Sequence, residues 1–132
     1  MRRLNESAGA QLLASEEGRK AVELGLVAGV ATSYFNLRAL DRQLEIARDT
    51  LASRNNALEL TRVKFDDGQG IVSELDVAQA QTQVAATQSS IASIRRQIAL
   101  AENALSLLLG GNPGAIPRGQ ALTEQWQPAE LP

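Results

Sequence analysis

The chain has 132 residues, 44% of them hydrophobic, with 13 basic against 15 acidic residues and a formal net charge of −2. This interspersed, nearly balanced charge leaves no basic face for nucleic acid. The absence of cysteine and histidine removes disulfides, thiolate metal sites and the commonest general base, and leaves the redox compartment open.

The apolar residues are nearly all Ala, Leu, Val and Ile, with aromatics confined to Tyr34, Phe35, Phe65 and Trp126. That composition suits helix–helix seams better than a thick globular core. No stretch approaches the roughly 18–20 continuous apolar residues that span a bilayer. Met1 is followed at once by Arg2, Arg3 and an amphipathic pattern, without the charged-then-apolar order of a signal peptide. The chain is therefore expected to start mid-structure, as a fragment of a longer protein.

The first proline is Pro113, so nothing before it removes a helical amide donor. Between Val30 and Phe65, Val30, Leu37, Leu44, Leu51, Leu58 and Phe65 recur every seven residues. Ser33, Leu40, Ala47, Arg54 and Thr61 follow three residues after successive members, weakest at Arg54 and Thr61. This alternation predicts a helix packed along a heptad seam, with Arg38, Asp41, Glu45 and Arg48 on water-facing sides. The predicted first helix covers about residues 3–66, or roughly 95 Å.

The stretch FDDGQGIVSELDV, residues 65–77, then breaks the pattern. Gly68 and Gly70 permit positive φ where the chain reverses. Ser73 stands three residues before Asp76, the spacing of a helix N-cap and its reciprocal acid. Glu74 and Asp76 both fall near the positive end of the new helix dipole, where acids gain about 0.3–1 kcal/mol each. Asp66 and Asp67 lie at the opposite, unfavourable end of the first helix; turn chemistry or an acidic functional tip both account for them.

A second helix is predicted over about 73–109. Ala80, Val84, Thr87, Ile91, Ile94, Ile98, Ala101, Leu105 and Leu108 alternate steps of four and three without a miss. Gly110 and Gly111 supply the stop, with Pro113 just beyond. Sustained period-two alternation is absent, which argues against strands. The expected organisation is all-α: a long antiparallel α-helical hairpin (coiled coil) over 1–109, with its tip at 67–72, then an irregular Gly/Pro-rich tail over 110–132. The returning helix is too short to cover the N-terminal half of the first. There Leu4, Ala8, Leu12, Val22 and Leu26 form a stripe that implies a partner, and self-association of the isolated chain is expected through it. Tyr34 and Phe35 are expected as packing anchors, and Trp126 is left without an assigned role. No catalytic constellation is visible: Ser and Thr hydroxyls have no activating partner beyond Lys20 and Lys64, and a di-metal bundle would need histidine.

The run FDDGQGIVSELDVAQAQTQV, with NALSLLLGGNPGAIP after it, resembles the helical hairpin of TolC-like outer membrane factors, most closely their lipoprotein efflux branch. Phe65, Gly70, Ser73, Leu75, Asp76, Val77, Gln79, Ala80 and Gln81 occupy the places of the family's tip pattern. One departure is the spacing from Phe65 to Gly70, five steps where the family has about three; Gly68 lies at the family's distance. The resemblance covers Arg2 to about Pro117 and implies a first-repeat hairpin in a chain of two such repeats. It further implies homotrimers that form a twelve-helix tunnel under an outer-membrane barrel, within a tripartite export system.

The resemblance assigns this chain to the periplasmic portion of an outer membrane protein, with no enzymatic role and no cofactor. Partners would be a periplasmic adaptor (membrane fusion) protein and an inner membrane pump, with membrane contact only through parts absent here. Asp76 would be the pore-constriction residue, against a purely structural reading in which it completes the Ser73 cap. Asp66, Asp67, Gly68, Gly70, Ser73, Glu74 and Leu75 would be the adaptor-contacting tip. The reading from another class is a cytoplasmic signalling or scaffold coiled-coil hairpin with no transport role. That alternative shares the heptads and the glycine tip but not the LLLGGNPGAIP ending or the unmet stripe.

Overall fold

A computed structural model describes residues 2–68 and 72–120, apart from the side chains of Arg2, Leu4, Asn5 and Ala8. Its regular elements are two helices, α1 (Arg2–Asp66, 65 residues) and α2 (Glu74–Leu108, 35 residues), packed as an antiparallel hairpin. The fold is the all-α hairpin expected from the heptads. At 1.5 Å per residue α1 is about 97 Å long and α2 about 52 Å.

The seam follows the sevenfold spacing. On α1, Leu37 and Leu40 are buried, and Val30, Ser33, Leu44, Ala47, Leu51, Arg54, Leu58 and Thr61 are half-buried. Opposite them, Val84, Thr87, Ile91 and Leu105 are buried and Ala80, Ile94, Ile98 and Ala101 half-buried. The two terminal members drop out: Phe65 is 43% exposed and Leu108 42%. Phe65 stands in the last turn of α1 at the tip, and Leu108 ends α2, where it shares an open groove with Leu26, Val27 and Val30 of α1.

Three polar members of the seam, Thr87, Arg54 and Thr61, bond to backbone carbonyls. Thr87 Oγ1 donates to the Gln83 carbonyl at 2.8 Å, and one Nη of Arg54 donates to the same oxygen at 2.9 Å. Arg54 thus lays its aliphatic stem along the seam while its head reaches across to α2.

The base of the hairpin differs from the sequence expectation. Arg38 and Asp41, expected to face water, keep only 10% and 26% of their side chains exposed. The covering element is the segment after α2. Leu109 ends the helix, and Gly110 takes a φ of +72°. The Gly110 N–H donates to the Leu107 carbonyl at 3.0 Å and the Gly111 N–H to Ser106 at 2.9 Å, the paired bonds of a Schellman stop. Residues 111–120 then run back over the hairpin without regular structure. Arg118 pairs with Asp41 and Glu102, one Nη of Arg38 donates to the Gln120 carbonyl at 2.7 Å, and the Gly119 N–H donates to the Tyr34 hydroxyl at 2.9 Å. Tyr34 is therefore an anchor, for the tail rather than for the seam. Phe35 touches it edge-on, with centroids 6.0 Å apart, yet is 49% exposed and anchors nothing within the described residues.

Beyond the reach of α2, every described side chain of α1 from residue 3 to residue 28 is exposed, including Leu12 (63%), Val22 (72%) and Leu26 (50%). Leu4 and Ala8 of the expected stripe, and Trp126 in the tail, lie outside the described residues. Where α1 passes the end of α2, Leu26, Val27, Val30, Tyr34, Phe35 and Leu108 line an open apolar groove. Among the described residues no helix is long and apolar enough to cross a membrane.

Candidate functional site at the hairpin tip

The tip is built from two helix ends. The last turn of α1 closes with the Asp67 N–H on the Val63 carbonyl at 3.0 Å and the Gly68 N–H on Phe65 at 3.2 Å. Gly68 has a φ of +66°, the left-handed conformation that costs a residue with a Cβ about 1–2 kcal/mol. The positive φ expected of the turn is therefore met at Gly68. Gly70, the other candidate, lies outside the described residues.

α2 restarts with a full capping box. Ser73 is extended (φ −97°, ψ 161°), and its Oγ accepts from the Asp76 N–H at 3.3 Å. In return the Asp76 Oδ2 accepts from the Ser73 N–H at 2.8 Å and from the Ser73 hydroxyl at 2.7 Å. These bonds hold the Asp76 carboxyl below its ordinary value, the Ser73 backbone donor contributing most and the hydroxyl next. The carboxylate is thus ionised and oriented, but it remains fully exposed.

The other candidate residues gather at the same end of the molecule. Asp66 closes α1, Asp67 and Gly68 form the turn, and Glu74 opens α2; all are exposed. Leu75 is 65% exposed and, with Ala78, Gln79, Thr82 and Gln83, lines a shallow concavity on the side of α2. Val72, Val77 and Thr61 are half-buried beneath the turn. Asp66, Asp67, Glu74 and Asp76 thus present four carboxylates on one small apex, with Lys64 the basic residue in the last turn of α1. Such an apex can attract cations or the basic face of another protein; no described group there is arranged for bond-making chemistry. Among the described residues no His, Cys, Asp or Glu cluster is placed to hold a metal ion.

Sequence reasoning found the apex through its cap spacing and its glycines. It missed the charged knot at the base, because Arg118 is 77 residues from Asp41 and 16 from Glu102, and no local pattern joins them.

Comparison with known proteins finds relatives along the whole hairpin. The family model for outer membrane efflux proteins matches residues 1–111, both helices and the tip together. The toluene efflux pump outer membrane protein TtgF of Pseudomonas putida is 36% identical over 125 residues, covering 94% of this chain and 26% of that protein. The cation efflux system protein CusC of Escherichia coli is 34% identical over 133 residues, covering 100% of this chain and 28% of its own length. The solvent efflux pump outer membrane protein SrpC of Pseudomonas putida is 37% identical over 123 residues, covering 92% of this chain and 26% of that protein. The chain spans about a quarter of the length of these curated relatives.

Proposed function

The chain belongs to the outer membrane efflux protein family, a family of channels and not of enzymes, and from that premise we propose that it is a periplasmic wall segment of an export duct. In this reading several copies of the hairpin stand side by side as a tunnel, with the tip at the periplasmic mouth and the N-terminal half of α1 toward the membrane. The supporting observation is that the family match runs through both helices and the turn, on a hairpin whose longer helix keeps a bare apolar side. A signalling or scaffold hairpin has no reason to match an efflux family over this length.

The tip is where the duct meets an adaptor protein and where its mouth narrows. Asp66, Asp67, Glu74 and Leu75 are exposed there, available to a partner surface, with Gly68 and Ser73 setting the shape of the turn. Asp76 contributes an ionised carboxylate whose position is fixed by Ser73. Around a symmetry axis, copies of that carboxylate form an acidic ring that attracts cations and repels anions at the closed mouth. Cargo is chosen elsewhere. Relatives named for toluene, for solvents and for cations resemble this hairpin at 34–37% identity alike, so its sequence carries little cargo information.

The test separates the gate from the cap in the full-length protein. Asp76→Gln removes the charge but keeps a side chain that closes a capping box; Asp76→Ala removes both. Raised single-channel conductance of the closed duct in planar bilayers for both variants supports the gate. Conductance unchanged in Asp76→Gln would leave Asp76 as a cap and nothing more.

A further inference from the structure

The heptad seam that makes the hairpin also leaves its register poorly specified. Leu37, Leu44, Leu51 and Leu58 on α1 face a ladder of Val84, Ile91, Ile98 and Leu105 on α2, each repeating every seven residues. A slide of one heptad would pair aliphatic with aliphatic again, so apolar burial alone discriminates weakly between registers. In coiled coils that choice falls to buried or half-buried polar residues. The tip constrains its own end, but α2 extends about 52 Å from it by the helical rise.

At the far end one side chain touches everything that must be aligned. Arg118 donates from Nε to Asp41 Oδ2 at 2.9 Å and from one Nη to Asp41 Oδ1 at 3.2 Å. Its other Nη donates to Glu102 Oε1 at 2.5 Å and to the Ile116 carbonyl at 2.6 Å. The fork thus joins α1, α2 and the returning segment, with 27% of Arg118, 26% of Asp41 and 20% of Glu102 exposed. The bonds to Asp41 push the guanidinium further above its already high value against the opposing effect of burial, with Glu102 adding to the shift.

From this arrangement we infer that residues 111–120 are a register lock, with Arg118 the positioning residue that fixes where α2 sits along α1. The charge pattern around Asp41 makes the lock discriminating. A one-heptad slide carries Arg118 and Glu102 along with α2 and replaces Asp41 by Arg48 in one direction or Tyr34 in the other. The first substitution sets two guanidinium groups against each other; the second leaves the fork without its bidentate acceptor. Two further ties allow little slack. The Gly119 backbone runs so close to Tyr34 that a Cβ there would come within 3.2 Å of the hydroxyl, and Arg38 holds the Gln120 carbonyl. A lysine in place of Arg118 has no planar fork and cannot satisfy both Asp41 oxygens, Glu102 and Ile116 together.

Cysteine spin labels can be placed cleanly, because the chain contains no cysteine. One pair at the exposed positions Asn36 and Asn103 reports the base, and a second pair at Arg62 and Ala78 reports the tip end. The wild-type chain should give one narrow distance for each pair. Arg118→Met, and separately Asp41→Asn with Glu102→Gln, should broaden or split both distances, because α2 is one helix and a slide carries its two ends together. Broadening at the base alone would be fraying and overturns the lock. Amide exchange over residues 101–109 should quicken about tenfold or more, as expected for loss of charge-assisted bonds that hold a helix end. Arg118→Lys should not restore the narrow base distance, and Arg42→Met, which removes an exposed pair with Glu45, should change nothing. An unchanged, narrow base distance in Arg118→Met overturns the lock. So does loss of helicity in both neutralising variants, because the knot would then be a requirement of folding and not of register.

Discussion

The two ends of the hairpin use the same device and then diverge. Gly68 and Gly110 each leave a helix in the left-handed conformation, with φ of +66° and +72°. After Gly110 the chain doubles back, and its polar groups are satisfied internally by Asp41, Glu102 and Tyr34. After Gly68 the chain restarts with a cap, and four carboxylates stay in solvent. The base keeps its polar groups internally bonded, whereas the apex leaves its carboxylates in solvent. Under the proposed duct reading, such an exposed apex on an ordered hairpin is what docking would use.

The largest expected difference between the ends is energetic. Leu37 and Leu105 are 0% and 1% exposed, so replacing either with Ala should cost about 2–5 kcal/mol in denaturant unfolding. Leu75, 65% exposed at the apex, should cost no more than about 0.5 kcal/mol when replaced in the same way. Comparable losses at both ends would dissolve the contrast.

How much of this was legible follows from the range of each interaction. The seam was legible because burial on one helix face leaves a periodic trace, and Ser73 with Asp76 because a cap acts over three residues. The heptad pattern overreaches at Phe65 and Leu108, in the last turns of α1 and α2, where the period continues but the side chains stay 43% and 42% exposed. It fails also at Arg38 and Asp41, which lie off the seam and are covered by a segment without periodicity. Arg54 is a weak point of the heptad pattern, yet its bond to the Gln83 carbonyl makes it a cross-link, a role that depends on a residue 29 positions away.

A smaller effect should appear on the third region, the bare half of α1. Leu12, Val22 and Leu26 remain exposed, and burying such side chains is worth roughly 1.5–3 kcal/mol each before the entropy of association is subtracted. The isolated chain is therefore expected to pair with itself through this stripe, most simply about a twofold axis. Sedimentation equilibrium should show a dimer at high micromolar concentration that Leu12→Glu with Leu26→Glu dissociates, while the helicity of the hairpin persists. A monomer throughout that range would mean that the stripe needs a different surface.

The smallest effect belongs to the cap, and its pH dependence has a definite sign. The Asp76 carboxyl lies below its ordinary value of 3.8 in the folded chain, because the Ser73 N–H and hydroxyl bond its ionised form. A group depressed on folding stabilises the fold above its unfolded value, and that contribution disappears as the pH falls through the lower, folded value. Acidification through and below the ordinary aspartate range should therefore loosen the first turn of α2 while the seam, held by apolar burial, stays intact. Amide and carboxyl resonances of Ser73 and Asp76 report the transition directly, and helicity at the base reports its locality. Asp76→Gln offers the reciprocal bond without a titrating group at that position, so its bond to Ser73 should be indifferent to pH in this window. If Asp76 titrates at or above the ordinary aspartate value, the cap does not hold the carboxylate in solution, and the proposal that Ser73 positions it for an acidic ring loses its physical basis.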